Sequence, residues 1–171
     1  MFDNSISHYL RNDNLLLVSQ KNKTGILGHL RSGQYAEFIR AYPQFIQKSV
    51  LLLPEIGQLT MYLDEVPPLA WDIVEFAEKS LEVIYPGPRN LPDHFISQIG
   101  LPIRVYREGL FHRFIFNQKH PLVLTIVSDD FPADEFLKHH EKMLNLPDNY
   151  EWKLLAEKTM FLGVNGEIKI Y

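Results

Sequence analysis

The sequence predicts an α+β fold, a single domain with a twisted, mixed central β-sheet and flanking helices. Three observations carry this. The chain has 171 residues, enough for one domain with a full core and too few for two. Short apolar runs closed by proline or polar residues recur along it, the pattern of buried strands. Between them lie stretches with apolar residues three and four apart, the pattern of amphipathic helices. No internal repeat, low-complexity tract or linker divides the chain, so helices and strands share one core.

In chain order, LLLVS (15–19) and KSVLLLP (48–54) read as strands. GQYAEFIRAY (33–42) between them sets Tyr35, Phe38, Ile39 and Tyr42 on one helical face, and Pro43 stops that helix. The spacing of Leu69, Ile73, Phe76, Ala77, Leu81 and Ile84 predicts a helix over 67–84. Glu75, Glu78, Lys79 and Glu82 fall on its other side, Pro67 and Pro68 sit in its first turn, and Pro86 ends it. IRVY (103–106) and PLVLTIV (121–127) are two further strands around a helix near 108–117. SDDFPADEF (128–136) then opens another helix, with Asp129 or Asp130 as its cap and Pro132 in its first turn. In KTMFLGVNGEIKIY (158–171), Asn165-Gly166 signals a hairpin between two short strands.

Composition narrows the function classes. No apolar run approaches the roughly 18 residues of a membrane span, and the amino terminus lacks a basic region followed by an apolar one, so a cytoplasmic protein without a membrane partner is expected. There is no cysteine, which excludes disulfides, thiol nucleophiles and thiolate metal sites. A net charge of −4 does not announce a nucleic-acid binder, although a local basic patch could still serve.

The candidate sites are few. KNKTGILG (21–28) carries Lys21, Lys23, Thr24, Gly25 and Gly28 after a strand, as a phosphate-binding loop would, but lacks the order of a P-loop and reads first as a solvated turn. His139 and His140 are adjacent, so on a helix they diverge by about 100° and do not face one ion. Asp129, Asp130, Asp134 and Glu135 suit a helix start without catalysis. YPGPRNL (85–91) alone is a helix stop. Nucleophilic serine, dinucleotide and aromatic RNA-binding motifs are missing.

Taken in order, these segments resemble one family. YPGPRNL is similar to the Y/W-P-G-P-x-T segment of the YrdC-like domain, the fold of threonylcarbamoyl-adenylate synthases. IRVY resembles the arginine strand of that family, and PLVLTIVS (121–128) its P-L…S-A-N segment. LLLVSQKNKTGI (15–26) compares with the P-T-D-T-x-Y-G-L region, YPQFIQKSV (42–50) with K-x-R…K-P-L, and the tail with S-T…D…G. The resemblance spans the whole chain.

It implies a fold whose members condense threonine, bicarbonate and ATP in tRNA modification, and to which nucleotide and double-stranded RNA binding are ascribed; ATP is the cofactor it suggests, and magnesium only for an active enzyme. Attack at the α-phosphorus needs cations around the triphosphate. Here the K-x-R positions read Tyr42 and Gln44, the S-A-N run reads Ile126, Val127 and Ser128, and P-T-D-T reads Ser19, Gln20, Lys21 and Asn22. Lys158 replaces the serine of S-T, while Thr159 keeps the threonine. Lys48 and Arg104 keep basic positions, and Gly25, Pro86, Gly87 and Pro88 keep backbone ones. Losing one transition-state cation typically costs about 10²- to 10³-fold in rate. The expectation is therefore a domain that binds a nucleotide or structured RNA without full synthase activity. Lys48, Arg104, Lys21, Lys23, Thr24, Gly25, Ser128 and Thr159 form the expected anion site, with Arg89 near it. Arg104 and Lys48 would make its floor and Lys21 and Lys23 its rim, unless Arg104 pairs with Glu108 or Asp130. Two rivals stand beside it. One is an active ATP-dependent enzyme with cations supplied from Lys21, Lys23 and Lys158. The other is a protein-docking module, partner of a true synthase, whose cleft is filled by Tyr42, Ile126 and Val127.

Overall fold

The computed structural model describes residues 1–77, 80–95 and 100–171. Its elements are helix α1 (Asn4–Arg11), strands β1 (Leu16–Gln20) and β2 (Lys23–His29), helix α2 (Gly33–Ala41), a 3₁₀ segment (Pro43–Lys48) and strand β3 (Ser49–Leu53). Helices α3 (Leu59–Tyr62) and α4 (Leu69–Glu75), strands β4 (Leu81–Tyr85) and β5 (Leu101–Val105), and helix α5 (Gly109–Phe116) follow. Strand β6 (Leu122–Val127), helix α6 (Ala133–His139), strand β7 (Met143–Asn145) and strands β8 (Lys158–Leu162) and β9 (Ile168–Ile170) complete the chain.

All nine strands join one mixed sheet, in the order β7-β1-β2-β6-β3-β5-β4-β8-β9. The four apolar runs expected as strands are β1, β3, β5 and β6, and they lie together in it; the two strands expected around Asn165-Gly166 are β8 and β9. Alternation sends the side chains of each strand to two separate cores. Leu17, Ile26, Leu51, Leu53, Ile103 and Val123 meet α2, the 3₁₀ segment, α3 and α4 on one face. Leu16, Val18, Leu27, Val50, Leu52 and Leu124 meet Ile6 and Leu10 of α1, Phe111 and Phe114 of α5, and Trp152 on the other. Every residue of β3 is buried. Helix starts are capped where the sequence supplies an oxygen: Asp3 accepts from Ile6 N–H at 3.0 Å and Ser32 from Tyr35 N–H at 3.1 Å.

Three expectations change. The helix expected over 67–84 is α4 alone, and Leu81–Tyr85 is a strand between β5 and β8. Glu78 and Lys79 of that expectation lie outside the described residues. LEVIY pairs on both sides in the sheet, and these hydrogen bonds outweigh the weak helical spacing, which a short apolar run cannot decide. Likewise KNKTGILG is a loop only at Lys21 and Asn22; from Lys23 it is β2, paired with β1 and β6. Asp129 and Asp130 do not cap α6, whose N-cap is Pro132 without a side-chain bond; Asp130 instead accepts from the Ser128 hydroxyl.

No helix among the described residues is long and apolar enough to cross a membrane. Burial holds the imidazoles of His29, His94 and His140 below their usual 6.5. His140 Nδ1 accepts from Leu15 N–H at 3.2 Å, a bond that needs the neutral ring. The unfolded chain therefore takes up protons that the folded chain refuses once the pH drops below 6.5. Stability is expected to be complete above that value and to fall as pH decreases towards the folded values. Urea denaturation across this range, with His140→Gln showing a shallower loss than wild type, measures it.

Candidate anion site at the β1–β2 hairpin

A polar concavity of about 620 Å³ opens where β1, β2 and β6 end. Lys21 (φ 51°) and Asn22 (φ 62°) form its lip. Both lie in the left-handed region, the signature of the two-residue turn that matches strand twist. Asparagine tolerates that conformation better than most residues. Gln20 and Lys23 pair across the turn. The turn is anchored from below: Gln20 is buried, donates to the Pro147 and Trp152 carbonyls at 3.0 and 3.2 Å, and accepts from Leu154 N–H at 2.8 Å. Thr24 and Ser128 bring hydroxyls to the wall, and Asp129 adds one carboxylate. Among the described residues Lys21 and Lys23 form no ion pair, since the pairs there are Arg104–Glu82 and Lys169–Glu167. The lining thus carries two lysines and one aspartate, with Asp130 beside it, accepting from the Ser128 hydroxyl.

The structure thus brings Lys21, Lys23, Thr24 and Ser128 together and places the other expected residues elsewhere. Gly25 lies within β2, where a Cβ would stand 2.8 Å from Leu124 Cδ1 and 2.9 Å from Leu154 Cδ1; its role is close packing. Lys48 is exposed at the end of the 3₁₀ segment and does not line the concavity. Thr159 is in β8, five strand spacings from β2 in the sheet order, or about 24 Å. Arg104 is not part of a cationic floor. Its side chain points away from the face of Ile103, as alternation requires, and is 4% exposed. Its Nε bonds Glu82 Oε2 at 2.9 Å and its Nη1 donates to the Lys153 and Leu154 carbonyls at 3.3 and 3.0 Å. Glu82, rather than Glu108 or Asp130, is the partner because β4 is the strand beside β5.

On the α2 side the concavity ends at Phe131. Phe131 packs against Tyr42 (centroids 5.2 Å apart), Phe38 (6.0 Å), Phe45 (6.1 Å) and Phe136 (5.7 Å). Tyr42, at a position read as a cation in the resemblance, is one member of this cluster, and Gln44 is exposed. Val127 is buried on the same face, whereas Ile126 packs into the opposite core. The sequence named Tyr42 but not Phe131 or Phe136, although five aromatics in three short segments were the available signal. YPGPRNL is a strap: Gly87 accepts from Asp64 N–H at 2.8 Å, Arg89 N–H reaches the Tyr62 carbonyl at 2.8 Å, and Arg31 reaches the Asn90 carbonyl at 2.9 Å. Gly87 (φ +66°) supplies the left-handed turn that this path needs. His139 is exposed and His140 buried, and no group of three metal-ligating side chains converges among the described residues.

Neither a protein-family model nor a curated protein sequence matches the chain. Solved structures do. A double variant of P. abyssi Sua5 superposes with a TM-score of 0.64 at 10% identity, over 93% of this chain and 49% of that one. Full-length HypF, in a phosphate- and nucleotide-bound form, gives 0.63 at 9%, over 97% and 28%. E. coli YciO gives 0.62 at 12%, over 94% and 83%. The chain has a YrdC-like fold. It spans about half of the Sua5 chain and just over a quarter of HypF.

The buried pair separates a structural cation from the exposed lysines. Arg104→Ala is expected to cost about 3–5 kcal/mol, because it leaves Glu82 without its partner in a largely buried position. Replacing both, as Arg104→Met with Glu82→Leu, should recover most of that loss. Chemical denaturation of the three proteins decides it.

Proposed function

We propose that this YrdC-like domain binds a phosphate-bearing ligand, a nucleotide such as ATP or a structured double-stranded RNA, at the hairpin concavity, and has no full threonylcarbamoyl-AMP synthase activity. The observation that carries this is the convergence of unpaired Lys21 and Lys23 with the Thr24 and Ser128 side chains on a turn anchored by Gln20. An anion there meets two ammonium groups without displacing a carboxylate from either. The HypF structure, solved with phosphate and nucleotide, shares the fold and lends the ligand class plausibility. Because the chain is acidic overall, attraction is local and falls off over about 10 Å at 0.1 M salt.

The same geometry argues against synthase turnover. Stabilising the charge that develops on a departing pyrophosphate takes several cations aimed at one place. Here Tyr42 and Gln44 provide none, Arg104 is committed to Glu82, and Phe131 occupies the flank from which further groups would reach. Magnesium belongs only to the active alternative. The aromatic closure favours, as a second reading, a module that docks on a partner protein and leaves the concavity unused.

Calorimetric titration of ATP and of a short RNA duplex, at low and moderate salt, tests the proposal. Wild type should bind at least one of them, more weakly as salt rises. Lys21→Glu with Lys23→Glu should weaken that binding by about tenfold or more while leaving thermal stability unchanged, since both side chains are exposed. No binding of either ligand at low salt overturns the assignment in favour of the docking module. Incubation with ATP, threonine and bicarbonate should give no threonylcarbamoyl-AMP by mass spectrometry. Product at the rate of an active synthase in the same assay overturns the inactive reading.

A further inference from the structure

We propose that a second copy of this chain pairs along the outer edge of β9, extending the sheet across a two-fold axis. β9 ends the sheet order, with β8 on one side and no described strand on the other. The backbone is set for another strand. Tyr171 N–H donates to Thr159 of β8 and Glu167 C=O accepts from Gly163 N–H, so those residues and Lys169 face inwards. By alternation, Ile168 and Ile170 direct their N–H and C=O groups to the open edge. Their side chains, 46% and 63% exposed, are apolar at an edge that a monomer ordinarily protects with charge or proline.

The occupant follows from the charges. Within one chain Lys169 Nζ lies 3.5 Å from Glu167 Oε1, both of them exposed. Antiparallel self-pairing centred on Ile168 adds a second partner to each, setting Glu167 of each copy opposite Lys169 of the other, twice, at positions where side chains approach most closely. The alternative centred on Lys169 would oppose two ammonium groups. In the favoured register the two Ile168 residues exchange a pair of hydrogen bonds, and each Ile170 comes opposite Gly166 of the other copy. Gly166 has no Cβ to obstruct Ile170, and Leu69 lies beside it, with Cδ1 3.4 Å from where a Cβ would be and 41% exposure. Ile170 of one copy therefore covers Leu69 of the other. The strand is its own complement, as a two-fold interface requires.

Sedimentation velocity of the full chain across the micromolar range is the test, with low-concentration thermal unfolding as a check on the fold. Wild type should dimerise. Lys169→Glu alone, which opposes like charges twice, should weaken the dimer by about tenfold or more, and adding Glu167→Lys should restore it. Ile168→Pro removes an N–H that only the partner uses and is tolerated at an outward edge position; it should give a monomer of near-normal stability. A wild type that stays monomeric overturns the proposal and leaves the edge to a different chain. So does a dimer indifferent to these substitutions.

Discussion

The central strands β2, β6 and β3 are packed on both faces, and the rest of the structure answers to that constraint. A strand buried twice must be apolar along its length, as Val50, Leu51, Leu52 and Leu53 are. It must also be covered by two separate layers, which α2 to α4 provide on one side and α1 and α5 on the other. Where adjacent stretches of chain crowd one face, side chains have to vanish: a Cβ on Gly28 of β2 would stand 2.5 Å from Cδ2 of Leu15, the residue that leads into β1. Where polar atoms remain, they have to satisfy one another. The hydroxyl of Tyr35 lies 2.7 Å from that of Thr125 and 3.0 Å from that of Ser49, and Ser49 donates to the Phe45 carbonyl at 3.1 Å. Burial pushes the Tyr35 phenol up to about 12, so it stays neutral in this network.

The same constraint sorts the cations. A guanidinium inside a doubly covered sheet is stable only with a carboxylate and carbonyls around it, and Arg104 has Glu82, Lys153 and Leu154. That arrangement engages its Nε and Nη1 within the fold. Lysines at strand ends face no such demand, and Lys21 and Lys23 remain free at the turn. The candidate site is therefore peripheral to the sheet, while the centre of the aromatic face is filled by Phe38, Tyr42, Phe45, Phe131 and Phe136. Likeness at 9–12% identity establishes a shared scaffold, and the chemistry of any site has to be argued from this chain's own residues.

At the outer limits of the sheet the constraint relaxes. Among the described residues β9 has no second neighbouring strand, and its three residues are all exposed. An edge that alternates Glu167, Ile168, Lys169 and Ile170 is arranged differently from the opposite edge, where β7 offers Leu144 to the core between exposed Met143 and Asn145.

By itself the sequence determined the fold class and four strands of the sheet, because continuous apolar runs bounded by proline or polar residues have few other uses. It also determined α2, α5 and the hairpin at Asn165-Gly166, where periodicity or turn chemistry is local. Lys21, Lys23 and Thr24 were legible as site candidates from residue type and position after a strand, and Ser128 only through the resemblance to the S-A-N segment. Tertiary structure alone decided the rest. LEVIY is a strand because β5 and β8 flank it, and KTGILGH is one because β1 and β6 do; neither neighbour is visible in the local pattern. Arg104 reads as a ligand-binding cation until Glu82, twenty-two residues away, is found beside it. Phe131 closes a cleft only once α6 is folded against α2. Local spacing fixes what a segment can form, and long-range pairing and burial select which of those forms the chain adopts.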